Sequence, residues 1–92
     1  MWSYAYRESF LKDLSKVQPP KTRESVEKLV FEQISEMDNP FLYKGLKAMQ
    51  GYHGFYKIRV GSYRIGISIE QKSQKFEFCR ILQRKDIYRY FP

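Results

Sequence analysis

The spacing of apolar residues changes period part-way along this 92-residue chain, so its helices and its sheet must come from separate stretches. Phe10, Leu11, Leu14 and Val17 recur at helical intervals after Glu8. From about Thr22 to Met37 a second stripe, Val26, Leu29, Val30, Ile34 and Met37, does the same. Pro19-Pro20 divides the two helices and Asn39-Pro40 stops the second, because proline lacks the amide hydrogen that a helix interior uses. Beyond Gly45 the period falls to two. Strands are predicted over Phe55–Val60, Ser62–Glu70 and Lys75–Leu82, joined by links short enough for antiparallel hairpins. At the start, Trp2, Tyr4 and Tyr6 alternate with small residues and read as one more short strand. The expected class is α+β: a short N-terminal strand, an antiparallel helical hairpin, then a three-stranded antiparallel meander completing a four-stranded sheet. All of it is expected to form one domain over residues 1–92.

Alternation sorts the meander's side chains onto two faces. Tyr56, Ile58 and Val60 share one with Tyr63, Ile65, Ile67 and Ile69, which suits packing under the helices. Phe55, Lys57 and Arg59, with Arg64, Gly66, Ser68 and Glu70, fall on the other, which is expected to be basic in its middle. The formal net charge of +7 is uneven along the chain. Residues 39–69 carry Lys44, Lys47, Lys57, Arg59 and Arg64 without a single Asp or Glu, whereas acids slightly outnumber bases before them. Like charges on neighbouring strands destabilise a sheet unless an anion joins them, and a focused positive field attracts a polyanion. Aromatic rings interleaved with those cations, and with Arg80, Arg84, Lys85 and Arg89 further on, add the stacking surfaces that unpaired nucleotides need.

Several chemistries are excluded by residue supply. One cysteine, Cys79, and one histidine, His53, cannot make a zinc or iron–sulfur site, and no metal or other cofactor is expected. Gly51-x-x-Gly54 lacks the Lys-Ser/Thr and the helix of a phosphate loop, and no nucleophile elbow is present for Ser-His-Asp hydrolysis. A lone cysteine and the absence of a signal-like or membrane-length apolar run fit a cytoplasmic protein that does not engage a membrane.

At the basic face the chain resembles a known family. The run Gly51-Tyr52-His53-Gly54-Phe55-Tyr56-Lys57-Ile58-Arg59-Val60-Gly61-Ser62-Tyr63-Arg64-Ile65 and the ending Arg84-Lys85-Asp86-Ile87-Tyr88-Arg89-Tyr90-Phe91 resemble the RelE/ParE superfamily of bacterial type II toxins. The resemblance spans essentially the whole chain. It implies a metal-independent, ribosome-dependent endoribonuclease that cuts messenger RNA in the decoding site by attack of the nucleotide's own 2′-hydroxyl. It also implies a cognate antitoxin with an acidic or amphipathic C-terminal segment, with operator DNA bound only through that antitoxin. By position, Lys57 and Arg59 match the family's paired basic residues, Arg64 its phosphate-binding arginine, Arg84 its late arginine, and Tyr88 its C-terminal tyrosine, with Tyr90 as the alternative. Lys44, Lys47, His53, Phe55, Lys85, Arg89 and Tyr90 are candidate RNA contacts.

Two departures bear on the chemistry. Many relatives carry Gly-His before the late arginine, where this chain has Leu82-Gln83, and Arg59 stands where the best-known ribonucleases have lysine. Arginine cannot release a proton near neutrality, so Lys57 is the leading candidate base, with His53 a second. A DNA gyrase inhibitor of the same superfamily, and a catalytically silent module that binds antitoxin and operator, remain as alternatives.

Overall fold

A computed structural model describes residues 1–92. Strand β1 (Ser3–Tyr6) leads into helix α1 (Glu8–Leu14) and then α2 (Pro20–Lys28). Pro20 sits in the first turn of α2, where its missing N–H would have no partner. The helix runs on through a π-helical turn (Leu29–Gln33) and a 3₁₀ turn (Ile34–Glu36). A second 3₁₀ turn over Pro40–Leu42 is capped by the Asn39 side chain, which accepts from the Phe41 amide. The remaining strands are β2 (Leu46–Ala48), β3 (Phe55–Val60), β4 (Tyr63–Glu70) and β5 (Lys75–Gln83), and a one-turn helix α3 (Ile87–Tyr90) follows.

The strands form a single sheet in the order β1-β5-β4-β3-β2, with β1 parallel to β5 and every other pair antiparallel. The expected sheet had four strands. The fifth, β2, is three residues long and too short to show a period, and it pairs Lys47 directly with Lys57 on β3.

One face of the sheet carries the main core. Phe10, Leu14, Val17, Val26, Leu29, Val30 and Ile34 from the helical segments meet Ile58, Ile65, Ile67, Ile69, Phe76, Phe78 and Ile81 from the strands. Complete burial of an aliphatic or aromatic side chain stabilises by about 1.5–3 kcal/mol, so this cluster supplies most of what holds the fold. Leu11, expected on the same stripe, is instead exposed, because α1 is only two turns long and its buried face is narrow. Tyr4 and Tyr6 lay their rings on the core and donate to the Met37 and Val30 carbonyls, tying the strand to the end of the helical segment.

The opposite face differs from expectation. It is not uniformly basic in its middle, because the C-terminal segment returns over it. Met49, Cys79, Ile87 and Phe91 are buried there as a second, smaller core, with Phe55 and Leu82 packed against it. A bulge on β5 makes room: Gly66 pairs with Arg80 but Ile67 pairs with Phe78, so Cys79 is unpaired in the ladder. The extra residue resets the alternation. Phe76, Phe78 and Ile81 therefore all face the helices, while Cys79 turns to the small core.

Candidate functional site

At the end of the sheet where β3 turns into β4, three strands deliver cations to one place. The β3–β4 hairpin has a two-residue loop, with Val60 paired to Tyr63, and Gly61 takes the positive φ of 60° that its position demands. This tight turn puts Arg59 and Arg64 directly opposite each other on the same face. Arg64 is held from behind, its Nη1 donating to the carbonyls of Tyr63 at 3.0 Å and Gly61 at 3.3 Å. The chain leaving β5 is then fixed to the same turn, because the Arg84 amide donates to the Ser62 carbonyl at 2.9 Å. Arg59, Gly61, Ser62, Arg64, Gln83, Arg84 and Lys85 line an open cavity of about 720 Å³ with no apolar and no acidic side chain in its wall.

Partial burial, then the charges of Arg59 and Arg84, lower the Arg64 guanidinium below the usual arginine range. It remains a cation at neutral pH, and these are the neighbours that a bound anion would screen. Alongside, Lys57 lies two residues from Arg59 on the same face of β3, so about 7 Å away along the strand. Its ammonium group donates to the Tyr88 hydroxyl, and its nitrogen is 4.8 Å from the Tyr88 ring centroid. Guanidinium groups offer paired N–H donors that match phosphate oxygens two at a time, so the cavity has the donor set for a phosphodiester.

A family model described as "ParE toxin of type II toxin-antitoxin system, parDE" matches residues 4–88. The chain belongs to the RelE/ParE superfamily of type II toxins. Toxin RelE3 of Methanocaldococcus jannaschii is 40% identical to it over 88 residues, covering 95% of this chain and 96% of the relative. The toxin's fold matches a RelB-RelE antitoxin-toxin complex from Methanococcus jannaschii with a TM-score of 0.76 at 39% identity, over 96% of this chain and 99% of that one. A chain of the intact RelBE toxin-antitoxin complex from E. coli shares the fold with a TM-score of 0.65 at 19% identity, over 90% of this chain and 96% of that one.

Of the toxin's candidate catalytic residues, Arg59, Arg64 and Arg84 line the cavity together. Lys57 does not line it; it stands beside it, joined to Tyr88. Tyr90 points elsewhere, into a separate cavity with Arg7, Ser9, Phe55, Arg80, Phe91 and Pro92. Among the candidate RNA contacts, Lys85 lies in the cavity wall, and Lys47 pairs with Lys57 at the β2 edge. Lys44 and Arg89 are exposed outside the cavity wall. His53 lies in the turn before β3, at the end of the strand away from Arg59, and does not line the cavity. Phe55 is half-buried edge-on against Phe91 at 5.6 Å, so its ring belongs to the small core rather than to a free stacking surface.

Arg80 also drops out of the basic surface. Asp13 of α1 takes its guanidinium bidentately, at 2.7 and 3.2 Å, and accepts the Ile81 amide as well. The pairing cancels the charge and raises the Arg80 proton affinity, chiefly through the hydrogen bond to Asp13. One contributor had no sequence signal, the Ser62 carbonyl that anchors Arg84, while Gln83, singled out in sequence only as a departure before the late arginine, lies in the cavity wall. Their roles come from backbone geometry that only the folded hairpin defines.

Proposed function

We propose that this toxin is a metal-independent endoribonuclease acting on messenger RNA in the ribosomal decoding site. The observation that carries the reading is the meeting of Arg59, Arg64, Arg84 and Lys85 in one acid-free cavity beside the Lys57–Tyr88 pair. The 2′-hydroxyl oxygen forms a bond to the adjacent phosphorus as Lys57, acting as base, takes its proton. The bond from phosphorus to the 5′-oxygen breaks, that oxygen takes a proton from water, and Lys57 returns its own to the solvent. The products are a 2′,3′-cyclic phosphate and a 5′-hydroxyl end.

Negative charge grows on the phosphoryl oxygens as this happens, and fixed guanidinium groups stabilise it at no cost of reorganisation. Arg64, its guanidinium braced by two carbonyls, and Arg84, its backbone anchored to the Ser62 carbonyl, supply the positive charge; neither moves a proton. Gln83, which stands where the family resemblance would place a histidine, lies in the cavity wall and can donate or accept hydrogen bonds but cannot titrate. With one candidate base and no carboxyl or histidine in the wall, in-line geometry must come from outside, and the ribosome holding the codon supplies it.

The proposed partners follow from the same surface: messenger RNA and ribosome when active, and a cognate antitoxin whose acidic or amphipathic segment covers the cations when silent. Two of the similar solved structures are toxin chains in complex with antitoxins. Operator DNA is reached only through the antitoxin, and the proposed compartment is the cytoplasm. No helix is long and apolar enough to cross a membrane.

A well-placed arginine contributes about 10³–10⁵ in rate to phosphoryl transfer. Arg84→Ala is therefore expected to lose at least about 10³ in cleavage rate and to relieve growth inhibition, with the thermal unfolding midpoint unchanged. Full toxicity in the folded variant removes Arg84 from the mechanism. A second reading, a gyrase inhibitor, is favoured by the ParE description of the matching family model. Mapping transcript 5′ ends after induction separates the two. Cuts within the codons of translated messages support the ribonuclease, and double-strand DNA breaks with intact messages support gyrase poisoning.

A further inference from the structure

The ladder register places Lys47, Lys57, Gly66 and Arg80 in one row across β2, β3, β4 and β5 on the face that carries the cations. Gly66 is the gap in that row, and Phe91 fills it. A Cβ built on Gly66 would come within 2.5, 2.7 and 2.8 Å of Phe91 ring carbons, closer than real side chains approach. The glycine is not there for its φ, which is ordinary for a strand; it is there because the ring lies on the backbone. Phe55 meets the same ring edge-on, and Met49, Cys79 and Ile87 complete the seat.

Phe91 sits one turn beyond Ile87, with its amide donating to the Ile87 carbonyl at 2.9 Å, and the two side chains are buried together. Tyr88 follows Ile87 and is half-exposed, and nothing but Lys57 holds its hydroxyl. A helix of one turn does not persist in water on propensity alone. The position of Tyr88 must then be set by the buried residues on either side of it.

We propose that Phe91, seated on Gly66, is a positioning residue that sets Tyr88 against Lys57. It touches neither the cavity nor any reacting atom. The proposal rests on the ribonuclease reading for its functional consequence but not for its geometry. Gly66→Ala is expected to lift Phe91 off the sheet and separate Tyr88 from Lys57, while Arg59, Arg64 and Arg84 keep their anchors in the β3–β4 turn.

The test is nuclear magnetic resonance on the isotopically labelled full chain. In the parent, Tyr88→Leu moves the Lys57 ε-methylene signals. In the Gly66→Ala background those signals are expected to sit at the Tyr88→Leu position already, and adding Tyr88→Leu moves them no further. The methyl signals of Ile58, Ile65 and Ile67 should stay at parent positions, reporting an intact main core. If Gly66→Ala does not fold, Phe91→Ala removes the anchor without adding a group to the sheet, and the same signals are read. Lys57 signals at parent positions in the folded variant, still moved in full by Tyr88→Leu, overturn the proposal. A kinetic arm separates the two readings. With ribosomes and message, Gly66→Ala should lower kcat about 10²-fold with KM retained, and Tyr88→Leu should add no further loss in that background. If the parent itself cuts no message, the ribonuclease reading falls, while the resonance result still decides the positioning role.

Discussion

Arg59 and Arg64 face each other across the β3–β4 ladder, and Lys47 faces Lys57 one strand over. Directly opposed like charges work against strand pairing by a few tenths of a kcal/mol each, about 0.2–1 at the outside. No carboxylate lines the cavity to offset this. A site that carries such repulsion when empty is stabilised by whatever anion fills it, which is how binding energy and fold stability become linked. Arg59→Gln should therefore raise unfolding stability by about 0.5 kcal/mol in urea titrations at low salt, while lowering RNA affinity. Added salt should narrow the difference, because screening already relieves the parent. A variant less stable than the parent at low salt would show that Arg59 is held by contacts other than charge.

Among the elements, β5 carries the most information that a two-residue period cannot show. Its Trp-free run Lys75–Gln83 looks continuous in sequence, yet the bulge at Cys79 flips the alternation within it. Without that extra residue, Arg80 would point at the helices. With it, Arg80 lies where Asp13 of α1 can reach it and clamp the Ile81 amide as well. Hydrogen bonds to charged groups are worth about 1.5–3 kcal/mol, and losing one partner leaves the other unsatisfied. Asp13→Ala is expected to destabilise by about 2–3 kcal/mol in chemical denaturation, since it frees both Arg80 and the β5 backbone. A loss under about 0.5 kcal/mol would mean that solvent replaces Asp13 without penalty. The long elements were legible because their periods are long: the stripe from Val26 to Ile34 and the strands from Phe55 to Ile69 bury the faces expected of them. Three-residue β2, the two-turn α1 that exposes Leu11, and one-turn α3 carry too few residues to display a period, so their places are decided by tertiary contacts.

Across the whole molecule, the positive field and the fold are laid out together. The acid-bearing N-terminal segments cover one face of the sheet, and the acid-free stretch 39–69 forms the edge and turn where the cations gather. That division was readable from charge counts, as was the nearness of Arg59 to Arg64, which follows from a two-residue hairpin. The return of the C-terminal segment over the sheet was not. Ile87 and Phe91 look in sequence like part of an aromatic basic tail, and only the vacancy at Gly66 and the small core beside it explain where they go. Hence Tyr88 and Tyr90, two residues apart, end in different surroundings, one at Lys57 and the other in a separate cavity. The central claim is that these cations form one centre that cuts a message held by the ribosome. The measurement that tests it most directly is a reconstituted reaction: purified toxin, ribosomes programmed with a defined message, and chemical analysis of the RNA ends. The account predicts cleavage at the decoding-site codon with 2′,3′-cyclic phosphate and 5′-hydroxyl ends, absent without ribosomes. A message left intact on toxin-bound ribosomes, or ends bearing a 5′-phosphate, would contradict it.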